Sequence, residues 1–185
     1  SRGQERHREA RAVGRWPVIP PKYIAPPAIT LIGTSGVGKS AAIATCLSMQ
    51  PDVIRHPRFG VTQIPNLLVD CPVRGSMKQL GLAILRAVDS KVHTNYEKQF
   101  KRGDASEVIA RAAKAMAFHY VGVLVIDEVQ NLLNFAEGRN NVLASLVQIA
   151  NSVEVPIVFV GTPKAGELLT CTFAQARRTG SVTYW

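Results

Sequence analysis

The sequence has little cysteine, and what it has is unpaired. Cys46, Cys71 and Cys171 form an odd, widely spaced set without a C-x-x-C pair. That excludes a disulfide framework and a cysteine zinc site, and it fits a reducing, cytoplasmic setting. Each cysteine is expected to be a small core or near-core side chain. His7, His56, His93 and His119 are equally scattered and suggest no metal cluster. No apolar run approaches the roughly 20 residues of a membrane-spanning helix, so no membrane association is expected. No basic segment leads into an apolar one, so no secretory signal is read. The guanine-reading N-K-x-D motif is also missing. The first residue is Ser1 rather than Met, as in a trimmed chain. Acidic residues are the scarce charge, Asp+Glu 13 against Lys+Arg 22, for a net charge of +9. A balance that positive favours nucleic acid or another polyanion as partner, the plainer alternative being a solvated basic surface.

What is present suits one folded domain: 185 residues, 46% hydrophobic and 19% charged. Its organising stretch is residues 28–40, AITLIGTSGVGKS. The apolar run Ile29, Thr30, Leu31 and Ile32 predicts a buried strand. It empties into Gly33, Thr34, Ser35, Gly36, Val37, Gly38, Lys39 and Ser40, which match G-x-x-x-x-G-K-[ST] at every fixed position. Ala41, Ala42, Ile43, Ala44, Thr45, Cys46 and Leu47 follow, a small apolar series expected to form a helix packed on the sheet. Glycines let the backbone curl so that successive N–H groups face a phosphate, and the helix N-terminus adds its partial positive charge. In such a loop Lys39 reaches the β- and γ-phosphates and the Ser40 hydroxyl ligates Mg²⁺.

Residues 1–27 differ from the rest and are read as a basic, Pro-rich N-terminal arm. Arg2, Arg6, Arg8, Arg11 and Arg15 precede prolines at 17, 20, 21, 26 and 27, and the Pro-rich part cannot continue a helix. Trp16 and Tyr23 favour an arm that docks on a neighbour or on DNA over a solvated leader. Residues 28–185 are read as the nucleotide-binding core. Within it, 53–63 reads as a strand with a connecting loop and 64–70 as a buried strand. Ser76 opens a helix through a capping box to Gln79, with Met77, Leu80, Ile84 and Val88 on its inner face. Residues 93–103 are a polar, basic connection. A second helix over 104–120 turns Val108, Ala112, Ala115 and Ala117 or Phe118 inward. Residues 121–126 predict a strand buried on both faces. Residues 141–152 are helical, with Val142, Leu143, Leu146, Val147 and Ala150 inward, and 156–160 form a further central strand. Alternating strands and helices of these lengths give an α/β fold with a parallel sheet flanked by helices.

The strand over 121–126 ends in Asp127 and Glu128. In a phosphate-loop NTPase, the acid ending the strand beside the loop strand holds the Mg²⁺ shell, and a second acid can deprotonate the attacking water. Two acids at a strand end are otherwise a helix N-cap. Their pairing, and the missing guanine motif, favour ATP hydrolysis over a GTP switch. Thr162, ending the next strand, is placed between the acids and the γ-phosphate as a sensor, or else is a turn residue before Pro163. Arg177 and Arg178 suit charge donation to a neighbouring subunit's ATP, or a solvated helix end.

Together the GTSGVGKS loop, DCPVRGSMKQLGLAILRAVD, Asn95-Tyr96-Glu97, the IDE-x-Q wording, VGTPKA and ARRTG resemble the AAA+ family, and within it the TnsC/TniB-type regulators of heteromeric transposition. The resemblance implies an AAA+ ATPase of bacterial cytoplasm, with Mg²⁺, that assembles on double-stranded DNA. It implies a ring or filament of six or seven subunits per turn, linking a TniQ-type target selector to a TnsA/TnsB-like transposase. By this likeness Lys39, Ser40, Asp127, Glu128 and Thr162 inherit the loop, magnesium, catalytic and sensor roles, and Arg177 and Arg178 become arginine-finger candidates. The family's helical lid lies beyond Trp185, so it is expected to be absent from this chain. Lys98, Lys101 and Arg102 are candidate DNA contacts, anchored by Phe100, or else a solvated loop. A nucleotide-gated DNA-binding scaffold with incidental hydrolysis, or another DNA-handling AAA+ ATPase such as a helicase loader, are the alternatives.

Overall fold

The computed structural model describes residues 28–73, 75–138, 141–142, 144–145, 149, 155–166, 169 and 181–184. Five short runs dominated by β-branched and apolar residues make its main sheet: β1 (Ala28–Ile32), β4 (Asn66–Asp70), β5 (Val123–Asp127), β6 (Ile157–Gly161) and β7 (Ser181–Tyr184). They pair in the order β4-β5-β6-β1-β7, and every pair is parallel. Parallel strands need crossovers, which here are helical. The sequence reading missed β7, a four-residue strand that extends the sheet on the far side of β1. Residues 53–63, expected as a strand with a connecting loop, form an antiparallel pair of short strands, β2 (Ile54–His56) and β3 (Val61–Gln63), around a 3₁₀ turn at Pro57–Phe59.

Strand register sorts the side chains into two faces. Leu67, Leu124, Ile157 and Ala28 form one row, and Val69, Ile126, Phe159 and Thr30 the next. All eight are buried. Against this face pack α2 (Met77–Val92) and α4 (Ala105–Phe118). Ser76 caps α2 by accepting from Gln79 N, and Asp104 caps α4 by accepting from Glu107 N. Met77, Leu80, Ile84 and Val88 are buried as their spacing requires. The two helices meet closely at Gly81, where an added Cβ would lie 2.9 Å from Val108 Cγ1. On α4 the inward series is Val108, Ile109, Ala112, Ala113, Ala115 and Met116. Ala117 and Phe118, offered as the end of that series, are exposed, Phe118 at 70%. The helix closes one residue later at His119, which takes the buried place instead. Residues 141, 142, 144, 145 and 149 are helical as expected, with Val142 and Ile149 in the core. Leu143, Leu146, Val147 and Ala150 lie outside the described residues.

The other face is met by α1 (Lys39–Ser48). Asn66, in register with the outward Leu68, donates from Nδ2 to the Leu47 carbonyl at 3.2 Å. The expectation that α1 packs into the sheet is only partly met. Lys39 alone is buried, Ile43 and Leu47 are half-buried, and Ala41, Ala44, Thr45 and Cys46 are exposed. Ile29 and Leu68 stay more than a third exposed beneath it. Small side chains give α1 too little apolar area to seal this face. Cys46 is thus a surface thiol, whereas Cys71 is buried as expected; Cys171 lies outside the described residues.

The connection over 93–103 carries a short helix of its own, α3 (Tyr96–Phe100). The Asp89 carboxylate holds its start, accepting from Thr94 Oγ1 at 2.6 Å and from the Tyr96 and Glu97 amides at 2.8 and 2.9 Å. Tyr96 Oη and His119 Nε2 then lie 3.2 Å apart, fixing α3 to the end of α4.

Two outcomes follow. Burial holds the His119 imidazole below its ordinary 6.5, against the opposing influence of the Thr62 backbone and the Asp89 charge. The unfolded chain therefore binds the proton more readily than the folded one. His119 should make stability fall as pH drops from about 7 through 6.5 and below, and His119→Gln should flatten that fall in thermal unfolding at pH 7 and 5.5. Burial, reinforced by the Glu128 charge, pushes the Cys71 thiol up to about 12. In native protein at pH 8, iodoacetamide should modify Cys46 at least tenfold faster than Cys71, as read by peptide mass spectrometry; equal rates would contradict the packing around Cys71.

Candidate nucleotide site

The carboxyl ends of β1, β5 and β6 converge on one cavity of about 280 Å³, lined by Ser35, Gly36, Gly38, Lys39, Ser40, Ala41, Asp127, Glu128, Gln130, Gly161 and Thr162. Residues that the sequence reading drew from three separate segments are therefore together. The loop wall follows from its glycines. Gly36 and Gly38 have φ of 81° and 87°, a conformation that L side chains rarely adopt, and nothing lies within 4 Å of where either Cβ would be. Their need is for backbone shape and an open cradle, rather than for room between packed atoms. Gly33 is buried, and its N–H donates to the Gly161 carbonyl at 3.1 Å, pinning the start of the loop to the end of β6. Thr34 and Val37 are exposed loop positions and do not line the cavity. Gly38 caps α1, whose first residues are Lys39 and Ser40.

Lys39 is 8% exposed and donates from Nζ to the Gly33 and Thr34 carbonyls at 2.8 and 2.7 Å. Its charge is thus held over the loop's own backbone, with no carboxylate bound to it among the described residues.

The acid wall differs from expectation in one respect. The strand ending in Asp127 is not beside β1; β6 is inserted between them. Thr162, just past the end of that inserted strand, consequently lines the cavity together with the loop and the acids. Asp127 is 4% exposed and accepts the Glu128 amide on Oδ1 at 2.7 Å. Glu128 is exposed and adopts φ 55°, ψ 37°, a left-handed conformation unusual for a non-glycine. It opens the 3₁₀ helix Val129–Asn134. Asn131 of that helix donates to the Cys71 carbonyl at 2.9 Å, and Cys71 N donates to the Asp127 carbonyl at 2.9 Å, so β4 and β5 end in a shared brace.

Gln130 is the site residue that sequence reasoning left without a role, although it stood in the IDE-x-Q wording. Its amide bonds both to the Glu128 carboxylate and to the Thr162 N–H. Arg177 and Arg178 lie outside the described residues. Lys98, Lys101 and Arg102 do not line this cavity; they are exposed on and after α3. Phe100 packs against the core as expected and carries the Arg111 guanidinium 4.8 Å from its ring centroid.

The donor set fits a nucleotide with a divalent cation. A glycine cradle, a helix start and a lysine suit phosphates. A buried carboxylate near a hydroxyl offers the hard oxygen ligands of Mg²⁺, which would lie with Asp127 and Ser40. Thr162 Oγ1, buried and without a hydrogen-bond partner among the described residues, is a polar atom left for something in the cavity.

Comparison with known proteins agrees on the fold. The described topology is similar to the Aeropyrum pernix ORC1 protein in a complex with DNA (TM-score 0.58, 21% identity, 96% of this chain and 43% of that one). It is also similar to the ADP form of the Aeropyrum pernix ORC2 protein (TM-score 0.57, 12% identity, 86% and 42%). A Walker-type ATPase of Pyrococcus abyssi gives a TM-score of 0.53 at 16% identity, over 100% of this chain and 53% of that one. The chain thus spans about half or less of each of these proteins. No curated protein matches the sequence. Residues 25–169 match the AAA domain family, a span that holds the loop, the acid pair and Thr162. The chain belongs to the AAA domain family, and its fold is that of an α/β phosphate-loop NTPase.

Proposed function

We propose that this protein is a Mg²⁺-dependent ATP hydrolase whose turnover governs its assembly on duplex DNA, as a transposition regulator of the TnsC type. The observation that carries the hydrolase reading is the single cavity in which the glycine loop, Lys39, Asp127, Glu128 and Thr162 meet. In this reading Lys39 and the loop amides hold the β- and γ-phosphates, and Asp127 and Ser40 hold Mg²⁺. The ion would withdraw charge from the phosphates. Glu128 takes a proton from water, most simply on Oε1, since Oε2 is engaged by Gln130. The water oxygen then bonds to the γ-phosphorus as its bond to the ADP oxygen breaks. Thr162 Oγ1 supplies a hydrogen bond toward the reacting phosphate or water.

The DNA and transposition parts rest on the motif wording, the net charge of +9 and the exposure of Lys98, Lys101 and Arg102. A similar fold is found in a protein complexed with DNA, which supports the coarser idea of a DNA-handling ATPase. Association into rings, a TniQ-type selector and a TnsA/TnsB-like transposase belong to the same proposal.

Glu128→Gln should keep ATP affinity within about threefold and slow turnover by about a hundredfold or more. Lys39→Ala should weaken ATP binding itself. Both are read by equilibrium nucleotide binding beside phosphate release, and parental turnover in Glu128→Gln would remove the assignment of Glu128 as base. For DNA, the triple variant Lys98/Lys101/Arg102→Ala should bind duplex more weakly in ATP. Contacts of this kind go to phosphate, so log affinity against log salt should lose roughly one unit of slope per cation removed. Unchanged affinity and slope in the triple variant would move the DNA surface elsewhere.

A further inference from the structure

Gln130 is more than a neighbour of the acid pair. Its Nε2 donates to Glu128 Oε2, and its Oε1 accepts from Thr162 N at 3.2 Å. One planar amide therefore joins Glu128, the acid just past the end of β5, to Thr162, the residue just past the end of β6. The bridge is fitted closely. A Cβ on Gly161 would fall 2.9 Å from Gln130 Oε1 and 2.7 Å from Val129 Cγ2, so only glycine lets the amide approach the strand end without a shift. Glu128 needs such support. Its left-handed backbone carries strain, and its exposed side chain would otherwise sample several rotamers. Its backbone is fixed by the N–H to Asp127 Oδ1, its carboxylate by Gln130. Thr162 faces the same cavity with a buried, unpartnered hydroxyl.

We propose that Gln130 is a positioning residue for hydrolysis, holding the Glu128 carboxylate in register with Thr162 so that the base and the residue facing the γ-phosphate move as one unit. This deepens the hydrolase reading and rests on it. An amide suits the task because it donates at one end and accepts at the other, matching a carboxylate and a backbone N–H. A hydrocarbon of equal length can do neither, and a carboxylate can keep only the Thr162 half.

The test uses Gln130→Met and Gln130→Glu in the same protein, with ATP as substrate. Both should lower kcat by about tenfold or more, with KM for ATP and the affinity for a fluorescent ATP analogue within about twofold. Gln130→Glu should lose as much as Gln130→Met, because it keeps the acceptor but sets a second carboxylate beside Glu128. In a Glu128→Gln background, Gln130→Met should cost no further rate, since both act on one step. Retained nucleotide affinity also reports that each variant is folded; should one fail to fold, the other carries the comparison. A parental kcat in either variant would overturn the inference. So would a loss confined to KM, or a Gln130→Met loss that multiplies with that of Glu128→Gln. Parental turnover in Glu128→Gln alone would instead overturn the hydrolase reading, so the two failures are distinguishable.

Discussion

The double pairing of β6 is the constraint on which the site depends. It bonds to β1 along one edge and to β5 along the other, in register and parallel to both. Parallel pairing sends all three carboxyl ends to the same edge of the sheet, so groups far apart in sequence arrive together, and contacts such as Gly33 N–H to the Gly161 carbonyl then fix them there. The apolar rows behind that edge keep it in place. Phe159 and Ile157 of β6 are flanked by Ile126 and Leu124 on one side and by Thr30 and Ala28 on the other. A slip of one residue would turn these buried rows outward, at a cost on the order of 1.5–3 kcal/mol for each large side chain. The polar site inherits its precision from an apolar arrangement that has no chemistry of its own.

Among the described residues, α2 and α4 on one face and α1 on the other make that arrangement uneven. α2 and α4 bring a continuous set of large and small side chains against the Leu67–Phe159 face, and a glycine at position 81 lets them close on each other. Of its apolar residues α1 brings only Ala42, Ile43 and Leu47, each half-buried, while its other small residues are exposed. Its hold comes from its two ends: the glycine loop at its start, and the Asn66 amide on the Leu47 carbonyl near its finish. The loop helix is therefore the lightly packed layer, and its placement over the cavity relies on backbone geometry more than on buried area.

Much of this was legible in the sequence because it is governed by local rules. The glycine loop and its flanking strand announce themselves in one window, and the 3.6-residue spacing of Met77, Leu80, Ile84 and Val88 gives the inner face of α2 without tertiary knowledge. The acid pair was readable as a site component, but not which strand lay beside it. Strand order is a tertiary fact, and β6 comes after β5 in sequence while standing between it and β1. β7 escaped because four residues, Ser-Val-Thr-Tyr, are too few for a periodicity. α4 misled at its end: Phe118 is large and apolar, yet the helix stops just beyond it, and His119 takes the buried position with Tyr96 as its partner. Composition suggested that α1 would be buried, but small apolar residues are equally at home on a surface.

Gln130 escaped for a different reason, which bears on how the acid wall works. The IDE-x-Q wording fixed its type and spacing but not its role, since a glutamine's amide carries no sign of what it will meet in the fold. Its significance comes from the bend that Glu128 introduces. A non-glycine residue in the left-handed region costs on the order of 1 kcal/mol or more, so the conformation persists only where neighbours over-determine it. Here the strand ends at Asp127, the chain turns sharply at Glu128, and the 3₁₀ helix begins at once. That turn brings the residue two positions later back toward the end of β6, within reach of both Glu128 and Thr162. The hydrogen bonds to Asp127 Oδ1 and from Gln130 then offset the strain they depend on. A relaxed strand-to-helix turn would leave an acid at the same sequence position, but with a carboxylate free to rotate and no link to the strand that separates it from the phosphate loop.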